Sequence, residues 1–242
     1  MFSPKVAALL LACAAFAQAP AQEFDLTIVH TNDVHARVEP VTVSGRQLGG
    51  YARVATAIKQ LRAQAKNPIV LNAGDTFQGT LYFNQYVGLA DAHLMNLIGY
   101  QAMALGNHEF DRGPAPLGAF AQVARFPVLA ANLDVSADPS LKNLVKASTV
   151  IEAGGQRIGV VGAITEDLFD ISSPGPTVKL SKVVPSVQAE VDRLTKQGIN
   201  KIVLLSHCGY DVDLKIANQL NGVDVIVGGH SHSLLGTLQG PG

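Results

Sequence analysis

Tryptophan is absent from the 242 residues, aromatics of any kind make up only 6%, and cysteine occurs twice. Cys13 lies in an N-terminal targeting segment, so Cys208 has no intrachain partner and a disulfide framework is excluded. The fold must stand on its apolar core. Charge of one sign is lacking too: 18 basic and 19 acidic residues leave a formal charge of −1, and neither sign forms a long run. Polymeric nucleic acid requires a basic stripe, so that class of partner is excluded. A small anion can still bind where a metal supplies the positive charge. With 48% hydrophobic and 15% charged residues, the composition is that of an ordered chain, long enough for one substantial core or two small ones.

The apolar run at the N-terminus is shorter than the roughly 20 residues of a membrane span. Lys5 followed by the apolar stretch 6–17 and small residues instead describes a signal peptide over residues 1–21. Ala17-Gln18-Ala19 and Ala19-Pro20-Ala21 both fit a cleavage site; the second avoids leaving Pro20 at the new terminus. Leu10-Leu11-Ala12-Cys13 offers a second reading, a lipoprotein box with a lipid anchor on Cys13. Either reading exports the chain, to a periplasm or the medium, with residues 22–242 as the mature part.

Beyond the leader, short apolar runs alternate with helical patterns. Residues 24–30, 68–73, 100–105, 157–163, 201–206 and 223–228 read as buried strands. Val54, Ala57, Ile58, Leu61 and Ala65 recur at helical spacing, as do Val184, Val187, Val191 and Leu194, with Gly198 as a stop. Residues 85–98 and 115–124 also read as helix, and the Pro/Gly-rich 172–177 as a surface loop. Such alternation predicts an α/β fold with β-α-β crossovers.

Five of the runs lead into the same chemistry: Asp33-Val34-His35, Gly74-Asp75, Gly106-Asn107-His108, His207, and Gly229-His230-Ser231-His232. Each has an ordinary explanation alone, as a cap, a turn or a half-buried imidazole. Together they place five of seven histidines at strand ends, and in open α/β folds those ends meet along one ligand-binding edge. Asp, His and Asn supply the lone pairs that a divalent metal needs. His30 and His93 fall inside a strand and a helix and read as structural, and Cys208 as a buried small hydrophobe.

The ordered set D-x-H, GD, GNHE, H and GHSH resembles the calcineurin-like metallophosphoesterase superfamily. "HTNDVHARVEP", "GGYARVAT" and "LGNHEFDRG" narrow the resemblance to its 5′-nucleotidase/UDP-sugar hydrolase family, over residues 30 to 232. The resemblance implies a four-layer α-β-β-α sandwich around two divalent metal ions, zinc, manganese or iron. It puts Asp33, His35, Asp75 and His232 on one metal, and Asp75, Asn107, His207 and His230 on the other. Some nucleotidases of the family carry an amide where this chain has His232. His108 is then the catalytic residue, oriented and charged by Asp111 three residues on, and Asn107, His108 and Arg37 face the substrate phosphate. Glu109 is either solvent-exposed or a support behind the ligands. The implied reaction is phosphate removal from a nucleotide by in-line attack of a metal-bound hydroxide. Cyclic-nucleotide phosphodiesterase, UDP-sugar hydrolase and sulfur-ester hydrolase chemistry are rivals on the same ligands, and a metal-bearing binding module is a rival of another class. The family usually continues past Gly242 with more catalytic strands and a C-terminal specificity domain. The chain is therefore expected to be a fragment, incomplete at its C-terminal side and catalytically weak on its own.

Overall fold

The computed structural model describes residues 23–236, so the expected leader with Cys13 lies outside it. In chain order the first half holds β1 (Thr27–Thr31), a hairpin of β2 (Val41–Val43) and β3 (Arg46–Leu48), α1 (Tyr51–Gln64), β4 (Pro68–Asn72), α2 (Leu81–Tyr86), α3 (Leu89–Ile98), β5 (Ala102–Ala104) and α4 (Pro114–Val123). Next come β6 (Val128–Leu129), β7 (Leu133–Asp134), β8 (Val145–Lys146), β9 (Ser148–Ala153) and β10 (Gln156–Ile164). Then α5 (Leu168–Ile171), β11 (Lys179–Leu180), α6 (Val183–Lys196), β12 (Ile202–His207), α7 (Tyr210–Ala217) and β13 (Val225–Gly228) complete the fold.

Two sheets form its centre. One is parallel throughout, in the order β1-β4-β5-β6-β8. The other runs β13-β12-β10-β9, with only β9 antiparallel. The period of two along each strand divides the apolar residues among three cores. Val29, Val70, Met103 and Val128 face the helices on the outside of the first sheet. Their neighbours Ile69, Leu71, Ala102, Ala104 and Leu129 face inward, against Ile158, Val160, Val203 and Leu205 of the second sheet. Val161, Ala163, Ile202 and Leu204 then meet Val187, Val191 and Leu194 of α6 and Ile216 of α7. Helix, sheet, sheet, helix is thus the layer order. All six expected strands are found, and those buried on both faces, such as β4 and β12, read as unbroken apolar runs.

Three expectations change. The helix over 85–98 is two helices, because Val87 (φ +49) and Gly88 (φ +86) adopt left-handed backbone that a right-handed helix cannot contain. A Cβ at Gly88 would collide with the Phe77 ring. The inward face of α1 carries Tyr51, Val54 and Ile58, and leaves Ala57 and Leu61 exposed. Arg62 completes that face, donating to the Ile98 and Gly99 carbonyls at 3.1 and 2.8 Å, where α3 ends and needs donors. On α6 the buried stripe begins at Val183 instead of Val184. The loop at 172–177 is a loop, but it is not only surface: Ser172 reaches into the site described next.

Candidate metal centre

The carboxyl ends of β1, β4, β5, β12 and β13 carry the polar segments, and the two sheets bring those ends to one edge. Backbone hydrogen bonds fasten the first two loops together: Asp33 N–H to Gly74 O (2.9 Å), His35 N–H to Asp75 O (3.1 Å) and Ala36 N–H to Thr76 O (2.8 Å). The third loop closes on the second, where His108 N–H donates to Asp75 Oδ1 at 3.0 Å. That approach is so close that a Cβ on Gly106 would overlap the Asp75 carboxylate. The last loop joins through His230 N–H, which reaches both Asp33 oxygens at 3.1 and 3.0 Å.

Strain concentrates here. Asp33, His35, Asp75, His230 and His232 all have positive φ, at 50, 48, 54, 78 and 50°. Such backbone costs a non-glycine residue about 1–2 kcal/mol. It persists only where the surroundings over-determine it, as the loop-to-loop hydrogen bonds do.

The donor set is short of protons. His207 is fully buried, and its Nδ1 lies 2.6 Å from the Ala73 carbonyl, so the ring proton sits there. Its Nε2 points at Asp75 Oδ2 at 3.0 Å and Asp33 Oδ1 at 3.9 Å. Burial by itself would lower the His207 imidazole, but the Asp75 carboxylate outweighs it and drives the value up to about 9. That pull marks a place for positive charge, which a metal cation fills as well as a proton does. His35 repeats the pattern. Its Nδ1 is 3.1 Å from the Phe77 carbonyl, while its Nε2 faces His232 Nε2 at 3.2 Å, with Asp33 Oδ1 at 3.3 Å from the latter. Asn107 adds a buried Oδ1 with no partner. Burial and the neighbouring His207 hold His230 below its usual value, which keeps it a neutral lone-pair donor.

These atoms fall into overlapping sets, each within 4.8 Å: Asp33, His35 and His232; His35, Asp75 and His108; Asp75, His207 and His230. Six of the seven expected ligands therefore converge, with Asp75 between the ends, and His232 closes the solvent side at 59% side-chain exposure; the seventh, Asn107, belongs to none of these sets. Lone pairs of nitrogen and oxygen facing one another without donors fit divalent cations.

His108 stands beside this set. Its Nδ1 is 2.6 Å from Asp111 Oδ2, leaving Nε2 free. Burial lowers the imidazole, but the Asp111 hydrogen bond and the Asp75 and Glu109 charges more than reverse this, so it lies above its usual value. Glu109 is not exposed. It is fully buried, and its carboxylate accepts the backbone N–H groups of Asp75, Thr76, Phe77 and Gly106 at 3.0, 2.7, 3.0 and 2.7 Å. Burial and the Asp75 charge push that carboxyl up to about 7, against the pull of the N–H donors. Arg37 lies exposed on the His35 loop, and among the described residues it joins no ion pair. His30 and His93 are exposed and belong to none of the sets. Cys208 packs in the outer core of the second sheet, its thiol pushed up to about 12 by burial.

Sequence reasoning missed Gln78 and Ser172. Gln78 Nε2 donates to Asp111 Oδ2 at 3.1 Å, and Ser172 Oγ lies 2.7 Å from the Asn107 carbonyl and 2.9 Å from Asp111 Oδ1. Neither lies in a chemical motif, and only the fold brings Ser172 across 61 positions of sequence.

The calcineurin-like phosphoesterase family model matches residues 26–234. A 5′-nucleotidase of Diplobatis ommata is 48% identical over 97% of this chain, which covers 42% of that relative. The solved 5′-nucleotidase precursor of Thermus thermophilus is 54% identical with a TM-score of 0.86, over 89% of this chain and 43% of that one. The NAD nucleotidase of Haemophilus influenzae is 39% identical with a TM-score of 0.82, over 89% and 40%. The chain thus spans about two fifths of the length of the relatives it matches.

Proposed function

The chain belongs to the calcineurin-like phosphoesterase family, and from that membership we propose that it is an exported, two-metal phosphohydrolase that removes phosphate from nucleotides. The observation that carries the reading is a pair of buried ligand atoms without a hydrogen-bond partner of normal geometry, Asn107 Oδ1 and His207 Nε2, the latter 3.0 Å from Asp75 Oδ2. In a protein without a cation both atoms represent uncompensated desolvation. Asp33, His35, Asp75 and His232 would hold one metal, and Asp75, Asn107, His207 and His230 the other. Bound there, divalent metals supply Lewis acidity to phosphoryl oxygens and to a nucleophilic water.

The chain's own part is positioning and proton chemistry. Asp111 fixes the His108 ring through Nδ1 and favours the imidazolium. The free Nε2–H then donates to an oxygen of the transferred phosphoryl group, or to the leaving oxygen, as negative charge grows there. Glu109 holds the Asp75 and Gly106 backbones in register, so both loops meet the phosphate as one surface. Arg37, exposed on the adjoining loop, offers a mobile positive charge to the incoming anion. Export rests on the leader pattern in residues 1–21. Among the described residues no helix is long and apolar enough to cross a membrane.

The test is elemental analysis of the purified chain together with phosphate release from AMP. Cyclic AMP, a UDP-sugar and a sulfur ester serve as parallel substrates. The reading requires two divalent metals per chain and chelator-sensitive release from the nucleoside monophosphate. Release that survives complete metal removal, or turnover of the sulfur ester alone, would sink it.

A further inference from the structure

The catalytic pair His108–Asp111 is only as well aimed as its carboxylate, and a carboxylate rotates freely about its last bond unless both oxygens are held. Here both are. Asp111 Oδ2 receives His108 Nδ1 at 2.6 Å and Gln78 Nε2 at 3.1 Å, while Oδ1 lies 2.9 Å from Ser172 Oγ. The two outer partners come from separate elements. Gln78 sits on the loop after Asp75, and Ser172 is the residue that ends α5. The Asp111 side chain is only 16% exposed, so these partners stand where water would otherwise compete.

Each partner shows a cost that its own neighbourhood does not explain. Gln78 is exposed and holds φ at +75°, a conformation unfavourable for a side chain of its kind. Its amide uses both ends: Oε1 accepts Gly79 N–H at 3.1 Å, which turns Nε2 onto Asp111. Ser172 has one hydroxyl proton and two acceptors in reach, Asp111 Oδ1 and the carbonyl of Asn107. That one proton is shared between the carboxylate and the peptide that carries His108.

We propose that Ser172 and Gln78 are positioning residues that lock the Asp111 carboxylate in the rotamer that aims the His108 imidazole. The inference rests on the phosphohydrolase reading for its kinetic consequence, but the lock itself exists without turnover. Loss of an outer partner of this kind lowers activity by about 10–100-fold. Since neither residue reaches the ligand atoms, kcat should carry the whole loss, with KM and metal content unchanged. The two effects should also be less than additive when combined, because either deletion leaves one carboxylate oxygen without a partner other than the ring it aims.

The experiment compares the parent with Ser172→Ala, Ser172→Thr, Gln78→Ala and the Ser172→Ala/Gln78→Ala double variant. In metal-loaded protein, kcat and KM for AMP are measured beside metal content. In chelator-treated protein, the downfield proton resonance of the His108 Nδ1–H is followed by NMR. The lock predicts a kcat loss and a broadened resonance in both alanine variants, and recovery of both in Ser172→Thr, which keeps the hydroxyl. Parent-like kcat and resonance in Ser172→Ala would overturn it. So would a loss of metal in that variant, which would mean that Ser172 acts through the Asn107 peptide. A parent that binds metal but releases no phosphate would instead refute the functional reading, and the resonance would still decide the lock.

Discussion

His207 Nδ1–H donates to the Ala73 carbonyl. What faces the other nitrogen is the carboxylate of Asp75, so the gap between them calls for a positive charge, either a second ring proton or a cation. Asp75 lies between the sets, so under the two-metal proposal Asp75→Asn should lower the occupancy of both metals together while cutting hydrolysis by several orders of magnitude. Two metals still tightly bound in that variant would be the contrary result. His108 makes the opposite case. Its Nδ1 is already engaged by Asp111, so His108→Ala should keep both metals and lose about 10²–10⁴-fold in kcat. Asp111→Asn should do the same more weakly, since it only orients and charges the ring. Elemental analysis beside kcat separates the roles, and a metal missing from His108→Ala would make it a ligand. The proposed ligand residues stand out in the sequence because each follows an apolar run. For Glu109 the sequence left support and exposure both open, and Gln78 and Ser172 carried no signal, because a support is defined by what it touches across the fold.

At the scale of elements, the sequence was most informative where both faces of a strand are buried. It was least so where the signal is short or mixed. The strands β6 and β8, of two residues each, and the antiparallel β9, whose outer positions are only half-buried, offer no run to read. Helix α7 (YDVDLKIA) interleaves apolar and charged residues, and leaves Val212 and Leu214 exposed. Helix α3 holds a buried acid that no catalytic argument uses. Asp91 is fully buried in its first turn, and no hydrogen bond of normal geometry reaches either carboxylate oxygen. Burial raises the carboxyl to about 7, with the nearby Tyr51 phenol only partly opposing it. An aspartate in the unfolded chain titrates near about 3.9. Between those values the folded state binds more protons than the unfolded one, so stability falls as pH rises through the window. Asp91→Asn removes that loss. In chelator, its Tm should exceed the parent's at about pH 8 and match it at about pH 4. A variant no more stable than the parent at the higher pH would show that Asp91 is ionised at no cost.

At the scale of the whole molecule, the site lies where two sheets end together, and among the described residues one flank of that meeting is open. Strands β1 and β13 are the outermost of their sheets on the same side, and a groove of about 820 Å³ runs between them. Val225 on β13, with Leu214, Leu234 and Leu235 beside it, is 42, 50, 74 and 61% exposed. An unpaired edge with apolar side chains pairs readily with another chain. His232 follows directly on this edge, so whatever covers the flank also covers the most exposed of the proposed ligands. The isolated chain should therefore associate as its concentration rises. Lysine at Val225 and Leu234 should keep it monomeric by placing charge on the edge, and should leave the metal content intact, because neither residue belongs to a ligand set. Sedimentation velocity over a wide concentration range, on parent and variant, reads this out. A parent that stays monomeric throughout would mean that the open flank is not sticky enough to recruit a second chain.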